Sequence, residues 1–217
     1  MKYKILNLYA CLGGNRYKWD EVAEIEVTAV ELDPELAKLY QERFPNDTVI
    51  IADANQYLLD HYKEFDFIWS SPPCPSHSKA RYWGFGQTMP IYPDMKLYQE
   101  IIFLQHHCKS KWIVENVTPY YEPLMIAKKR DRHLYWCNFN LPNTLSNRTI
   151  KITTGSNEVR RLCAFHDYDF FKYKGDQRMN KIARNLVDYE AGKTILETAM
   201  NIQSQEQESQ TSIFDVI

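Results

Sequence analysis

The residues whose types and spacing can do chemistry here are a cysteine set between prolines, a pair of glycines and three well-placed carboxyl groups. The cysteine is Cys74, in Ser70-Ser71-Pro72-Pro73-Cys74-Pro75-Ser76-His77-Ser78. Proline locks its own φ, so two of them give the chain a rigid exit and aim the thiol. A reduced cysteine is most often a small buried hydrophobe, but a Ser-rich loop between prolines is a poor place for that. Its thiolate is an intrinsically strong nucleophile. Upstream lies Ala10-Cys11-Leu12-Gly13-Gly14-Asn15, where glycines let the backbone turn tightly and approach a ligand. Glu31 follows eighteen positions after Gly13, a spacing at which an acidic side chain can accept from both ribose hydroxyls. Asp53 can accept from an adenine amino group. Together they describe an adenosine site, which by itself does not separate NAD, ATP and S-adenosylmethionine. Singly, each has a plainer reading: a turn, a solvated strand end, and for Asp53 a helix cap for Asn55 to His61.

Alternating strand-like and helix-like segments must position these groups. Strands are expected at Tyr3 to Tyr9, Glu26 to Leu32, Thr48 to Ala52, Phe65 to Trp69 and Lys111 to Val114. The clearest helix starts at Asp33-Pro34-Glu35, where Asp caps, Pro suits the first position and Glu favours the positive helix end. A second is expected from Asp94 to Cys108, with Leu97, Ile101, Leu104 and Cys108 on one face. Repeated β-α-β order implies an α/β, Rossmann-like fold: a mostly parallel sheet with helices on both faces and ligands beyond the carboxyl ends of the strands. Beyond Tyr135 the pattern becomes irregular, with Pro142, Gly155 and Gly175. This reads as a small loop-rich insertion, before helical character returns from Asn180 to Met200.

With 217 residues, 44% hydrophobic and 25% charged, the chain suits one globular core with an appendage. No stretch approaches the ~18 apolar residues of a membrane span, and Met1 to Leu8 lacks a signal-peptide core, so a cytoplasmic protein is expected. Five cysteines without C-x-x-C spacing argue against disulfides. His106, His107 and Cys108 point in different directions on a helix and are not read as metal ligands. The net charge is -2, yet Leu141 to Arg184 holds nine Lys/Arg against four Asp/Glu, a local positive patch of the kind that phosphate contact needs.

Proline-cysteine after the fourth strand and Val114-Glu115-Asn116-Val117 after the fifth resemble the DNA cytosine carbon-5 methyltransferases, especially compact phage-type members. Asn7-Leu8-Tyr9-Ala10-Cys11-Leu12-Gly13-Gly14 is similar to the family's first cofactor motif and Ala29-Val30-Glu31-Leu32-Asp33-Pro34 to the second. Arg132-His133-Leu134-Tyr135-Trp136 resembles its substrate-arginine segment. Arg184-Asn185-Leu186-Val187 with Glu190-Ala191-Gly192 resembles its last motif. The resemblance covers most of residues 4 to 196. It implies S-adenosylmethionine as cofactor, held by Tyr9, Ala10, Gly13, Gly14, Glu31, Leu32, Asp53, Ala54, Pro72 and Asn185, and double-stranded DNA as substrate. It also implies a restriction-modification or phage setting and a monomer, without metal. Residues 1–140 would be the catalytic and cofactor-binding domain, 141–180 a target-recognition insertion, 181–200 a helix returning to the catalytic domain, and 201–217 a disordered tail.

The implied catalytic residues are Cys74, Glu115 and Arg132. Carbon 5 of cytosine is a poor nucleophile, so a thiolate must first add to carbon 6. Glu115 would stabilise charge building on ring nitrogen 3, and Arg132 would hold the oxygen at position 2. The loop Pro75 to Pro90 reads as a lid over a flipped base, and Phe165, Tyr168, Phe170, Phe171 and Tyr173 suit either DNA contact or a small core. Two departures stand out. Cys11 stands where the family usually has glycine, a Cβ that would crowd the methionine end of the cofactor, and the insertion is short for a target-recognition domain. Competing readings are an RNA (transfer RNA) cytosine-5 methyltransferase and a catalytically silent DNA-binding relative. In the tail, Gln210, Ile213 and Phe214 resemble a sliding-clamp docking peptide.

Overall fold

A computed structural model describes residues 2–82, 89–145, 148, 150 and 157–202. The expected tail peptide at Gln210, Ile213 and Phe214 lies outside the described residues, as do residues 83–88 of the expected lid. Strands β1 (Tyr3–Leu8), β2 (Ile25–Glu31), β3 (Thr48–Ile51), β4 (Phe67–Ser70), β5 (Lys111–Val117), β6 (Lys128–Arg130) and β7 (His133–Cys137) form one sheet in the order β3-β2-β1-β4-β5-β7-β6. The first five are mutually parallel. β7 runs antiparallel to β5, and β6 antiparallel to β7. The mostly parallel, Rossmann-like α/β sheet expected from the sequence is thus present.

Strands covered on both faces must be apolar on both sides, and these are. Leu6, Leu8, Val30, Ile68 and Val114 face one layer, with Leu58 of helix α2 (Ala54–His61) and Leu97, Ile101 and Leu104 of α3 (Lys96–His107). Ile5, Val27, Phe67, Trp69 and Ile113 face the other, with Trp19 and with Ile195 and Leu196 of α6 (Tyr189–Ala199). Tyr40 of α1 (Pro34–Arg43) packs on Ala29 on that same side. As its sequence predicts, α1 is capped by Asp33, whose side chain accepts from the Glu35 and Leu36 amides, with Pro34 at the first position. No helix among the described residues is long and apolar enough to cross a membrane.

Three elements differ from the sequence expectation. β5 continues through Glu115 and Asn116 to Val117, because the antiparallel partner β7 pairs with it over Glu115↔Tyr135, Asn116↔Leu134 and Val117↔His133. The helical stretch from Asn180 to Met200 is two helices, α5 (Met179–Asn185) and α6, separated where Asp188 caps α6 by accepting from the Glu190 amide. The insertion carries α4 (Glu158–His166). Its Leu162, with Phe170 and Tyr173, packs against Leu36 and Leu39 of α1 and Ile182 and Ala183 of α5. Most of the aromatic residues offered for DNA contact therefore build a small core, and Phe171 is the exposed one among them.

The turn after β1 is pinned from below. Arg16 is buried and its guanidinium grips the Asp47 carboxylate at 2.9 and 2.8 Å, while the Tyr40 hydroxyl donates to the same carboxylate at 2.9 Å. From the other side α6 presses its backbone onto the turn: the Trp19 indole donates to the Gly192 carbonyl at 3.1 Å. A Cβ on Gly192 would lie 2.1 Å from the Asn15 carbonyl oxygen, a backbone atom that cannot swing aside. Gly192→Ala is expected to lower stability by about 1–3 kcal/mol, read as a lower denaturation midpoint at unchanged slope.

Candidate active site

The strand order places β1 and β4 at the centre, with connections leaving in opposite directions. In open α/β sheets such a switch point is where a ligand crevice lies, beyond the carboxyl ends of the strands. Tyr9 leaves β1 on one side of it and Ser71 leaves β4 on the other.

The β1 exit folds back through three left-handed residues, Tyr9 (φ 55°), Cys11 (φ 48°) and Gly13 (φ 64°). Two carry side chains that make this conformation costly, so the surroundings must enforce it. Ala10 N–H donates to the Val30 carbonyl at 3.0 Å and Gly13 N–H to the Ala10 carbonyl at 2.8 Å. Cys11 N–H donates to Glu31 Oε2 at 2.8 Å, and Asp33 N–H donates to Glu31 Oε1 at 2.9 Å. At Gly13 a Cβ would meet the Phe44 ring at 2.4 Å. The Cys11 side chain turns into the apolar cluster around Leu12 and Leu162.

Glu31 therefore braces the turn, while burial pushes its carboxyl up against the pull of the two amides. A carboxylate has about four acceptor positions, which leaves room for a ribose diol. Beside it the Leu32 side chain is 66% exposed, and at the end of β3 Ile51 is 58% exposed, apolar surface that suits a purine. Asp53 does cap α2, accepting from Gln56 N–H at 3.1 Å, and its other oxygen faces Lys96 Nζ at 3.3 Å. Ala54 is buried at the first position of α2. The glycine turn, the carboxylate and the apolar edge fit an adenosine ligand.

On the β4 side, the buried Pro72 offers its carbonyl to Asn116 Nδ2 at 2.9 Å. The Cys74 carbonyl accepts from the His77 and Ser78 amides, both at 3.0 Å, and the His77 carbonyl from Tyr120 N–H at 3.0 Å. His77 Nδ1 meets the Tyr121 hydroxyl at 2.6 Å. The cysteine loop is thus clamped to the turn that follows β5, and the half-buried thiol is held beside Glu115. Burial pushes the Cys74 thiol up, as does the negative charge of Glu115, while Lys181 and Arg132 oppose them.

Glu115 is buried on β5. Burial pushes its carboxyl up to about 7, against a hydrogen bond with Ser71 and the charge of Arg132. At neutral pH a substantial fraction of it therefore keeps its proton. His133 Nε2 lies 3.6 Å from Glu115 Oε1, but burial and Arg132 push His133 down to about 3. The contact is therefore one of a neutral imidazole with a carboxyl rather than an ion pair.

Residues 3–123 match the family model of the C-5 cytosine-specific DNA methylases. The chain belongs to that family. The methylase is 26% identical over 124 residues to the Type II methyltransferase M1.HphI of Haemophilus parahaemolyticus, a match over 54% of this chain and 33% of that protein. Among solved structures, a mutant of Spodoptera frugiperda DNMT2 aligns at 23% identity and a TM-score of 0.38, over 54% of this chain and 36% of that one. A putative DNA modification methyltransferase encoded within an E. coli prophage aligns at 17% identity and a TM-score of 0.38, over 56% and 34%. The chain thus spans about a third of the length of these relatives.

The structure brings Cys74, Glu115 and Arg132 into electrostatic reach of one another. Arg132 is exposed and donates through Nη2 to the Arg184 carbonyl at 2.9 Å, which ties it to α5. Asn185, next along, is exposed at the end of that helix. Tyr9, Ala10, Gly13, Gly14, Glu31 and Leu32 gather around the β1 and β2 exits, with Asp53 and Ala54 one strand further on.

Sequence reasoning missed Glu100. This buried carboxylate of α3 accepts from the Tyr9 hydroxyl, from Ser70 Oγ at 2.7 Å and from Asn55 Nδ2 at 3.1 Å, tying β1, β4 and α2 together under the crevice. The signal was available: Glu100 falls three after Leu97 and four before Leu104, on the apolar stripe of α3. The Asn116 bond to Pro72 and the His133–Glu115 contact were not read from the sequence either.

Proposed function

We propose that the methylase transfers a methyl group from S-adenosylmethionine to carbon 5 of a cytosine flipped out of double-stranded DNA, with Cys74 as covalent nucleophile. What carries this reading is a buried Glu115, its carboxyl pushed up to about 7, beside a cysteine whose loop is clamped to the turn after β5. When bound, S-adenosylmethionine supplies an electrophilic methyl group. Glu31 would accept from its ribose, Leu32 would pack on its adenine and the backbone from Tyr9 to Gly14 would line its amino-acid end, with Pro72, Asp53, Ala54 and Asn185 completing the wall.

Cys74 as thiolate adds to carbon 6, forming a carbon–sulfur bond, and the displaced electron pair moves through the ring toward carbon 5. Glu115 gives its proton to nitrogen 3, so negative charge does not accumulate on the ring. Arg132 faces the oxygen at position 2. After methylation a base, for which water suffices, takes the carbon-5 proton, the carbon-5–carbon-6 double bond re-forms, Cys74 leaves as thiolate, and Glu115 recovers its proton from nitrogen 3. Flipping the base costs roughly a few kcal/mol. The exposed Arg160, Arg161, Lys172, Lys174, Arg178 and Lys181 offer phosphate contacts to meet it. The name of the Haemophilus relative supports a Type II modification role.

Incubation with methyl-labelled S-adenosylmethionine and duplex DNA is expected to yield labelled 5-methylcytosine. Label entering transfer RNA and not DNA would move the substrate to RNA, and no label in either would favour a silent relative. Glu31→Ala is expected to weaken S-adenosylmethionine binding by roughly 10- to 100-fold, as two hydrogen bonds and the brace of the turn are lost. Unchanged affinity by calorimetry would remove Glu31 from the cofactor site.

A further inference from the structure

We propose that His133 is a positioning residue for Glu115: its imidazole stands behind the carboxyl and, through Nε2–H, takes up the carboxylate oxygen left when Glu115 hands its proton to the base. This rests on the reading of Glu115 as the acid toward cytosine nitrogen 3.

The placement comes from the β5–β7 ladder. Val117 lies opposite His133 and Glu115 opposite Tyr135, so His133 is the diagonal neighbour of Glu115 on one sheet face, within reach of a long side chain. The side chains are 17% and 8% exposed, with Nε2 3.6 Å from Oε1, so water solvates poorly the carboxylate that proton donation creates. A buried carboxylate without donors is costly.

The other groups facing Glu115 do not fill that position. Ser71 is hydrogen-bonded to the carboxyl and acts as one donor. Arg132 acts through charge, with Nη2 committed to the Arg184 carbonyl. The Cys74 thiol and the buried Tyr135 phenol feel the Glu115 charge and are both pushed up by burial and by it. Glu115 Oε1 faces His133 Nε2, a few tenths of an ångström beyond hydrogen-bond length.

Neutrality of the imidazole is what the task requires. A charged imidazolium would hold Glu115 ionised and leave no proton to give. A neutral N–H leaves the resting acid protonated and strengthens its hydrogen bond only once the oxygen becomes anionic. Burial and the nearby Arg132 keep His133 neutral down to about pH 3. The plainer role for this ring is a spacer, packed edge-on against Tyr135 with centroids 6.4 Å apart.

The test uses the full chain with His133→Leu, a second apolar variant His133→Met, and His133→Gln, which keeps an N–H donor. Two readouts apply: the Glu115 carboxyl band followed by infrared titration, identified by its absence in Glu115→Gln, and the pH dependence of turnover on duplex DNA. The apolar variants are expected to raise the Glu115 midpoint by about one pH unit and to lower kcat by roughly tenfold, with the KM for DNA within about twofold. His133→Gln is expected to restore both. An unmoved midpoint in the apolar variants, or a Gln variant as impaired as they are, would overturn the inference and leave a spacer. Wild-type protein that forms no covalent adduct with 5-fluorocytosine DNA would overturn the Cys74 and Glu115 reading itself, and this inference with it.

Discussion

Cys74→Ala is expected to lower methyl transfer by on the order of 10^4-fold or more and to abolish the covalent adduct that wild-type protein forms with DNA containing 5-fluorocytosine. Carbon 5 has little nucleophilicity until carbon 6 carries an electron-rich substituent, so without the thiolate the reaction has no low path. No neighbouring group can substitute: Ser71 is engaged by the Trp69 indole at 2.9 Å, and Ser76 Oγ accepts from Asp94 N–H at 3.0 Å. Fluorine at carbon 5 cannot leave as a cation, which blocks the elimination step and preserves the carbon–sulfur bond for a denaturing gel. S-adenosylmethionine affinity should change little, because the turn after β1, which carries Glu31's contacts, does not depend on the thiol. A persistent adduct in the alanine variant would place the nucleophile elsewhere.

The parts of this site that were legible in the sequence are those in which local geometry demands a residue type. Gly13 answers a positive φ and a close ring, Asp33-Pro34-Glu35 a helix start, and the two prolines a rigid exit. The end of β5 was not legible because its extension depends on β7, a strand more than fifteen residues away whose first residue, His133, looks polar. The Arg16–Asp47 grip was invisible for a similar reason: thirty-one residues separate the partners, and nothing near either one announces the other. Whether Cys11 crowds the cofactor was left open by the sequence. Its side chain packs on the cluster that joins the insertion to α1, which gives a left-handed backbone position a packing role. Helix α4 was obscured by flanking Pro and Gly, although Val159, Leu162, Cys163 and His166 recur at helical spacing.

Glu115→Gln is expected to reduce turnover by roughly 10^2- to 10^4-fold and to change the shape of the pH profile. In the wild type the active form needs Glu115 protonated and Cys74 ionised. Glu115 titrates at about 7 and the thiol is pushed above its ordinary value of 9.0, so that form is a minor one. The profile of kcat/KM then rises to about pH 7, levels, and falls only above the thiol's own value. The amide variant loses the break near 7 and keeps rising until the thiol ionises. That happens at lower pH than in the wild type, since the Glu115 charge no longer opposes it. Stability should report the same buried carboxyl with a definite sign. Its value in the folded protein is raised from 4.5 to about 7, so the folded state holds its proton more tightly than the unfolded chain. The resulting stabilisation is complete below about pH 4.5 and is lost as pH rises to about 7, a change of about 3 kcal/mol. Glu115→Gln has no such loss, so relative to wild type it should gain stability between pH 4.5 and 8. A variant that gains stability above neutral pH while losing turnover would identify Glu115 as an acid that the fold keeps buried at a cost. Equal stability profiles would mean that water reaches the carboxyl and that it is ionised at neutral pH.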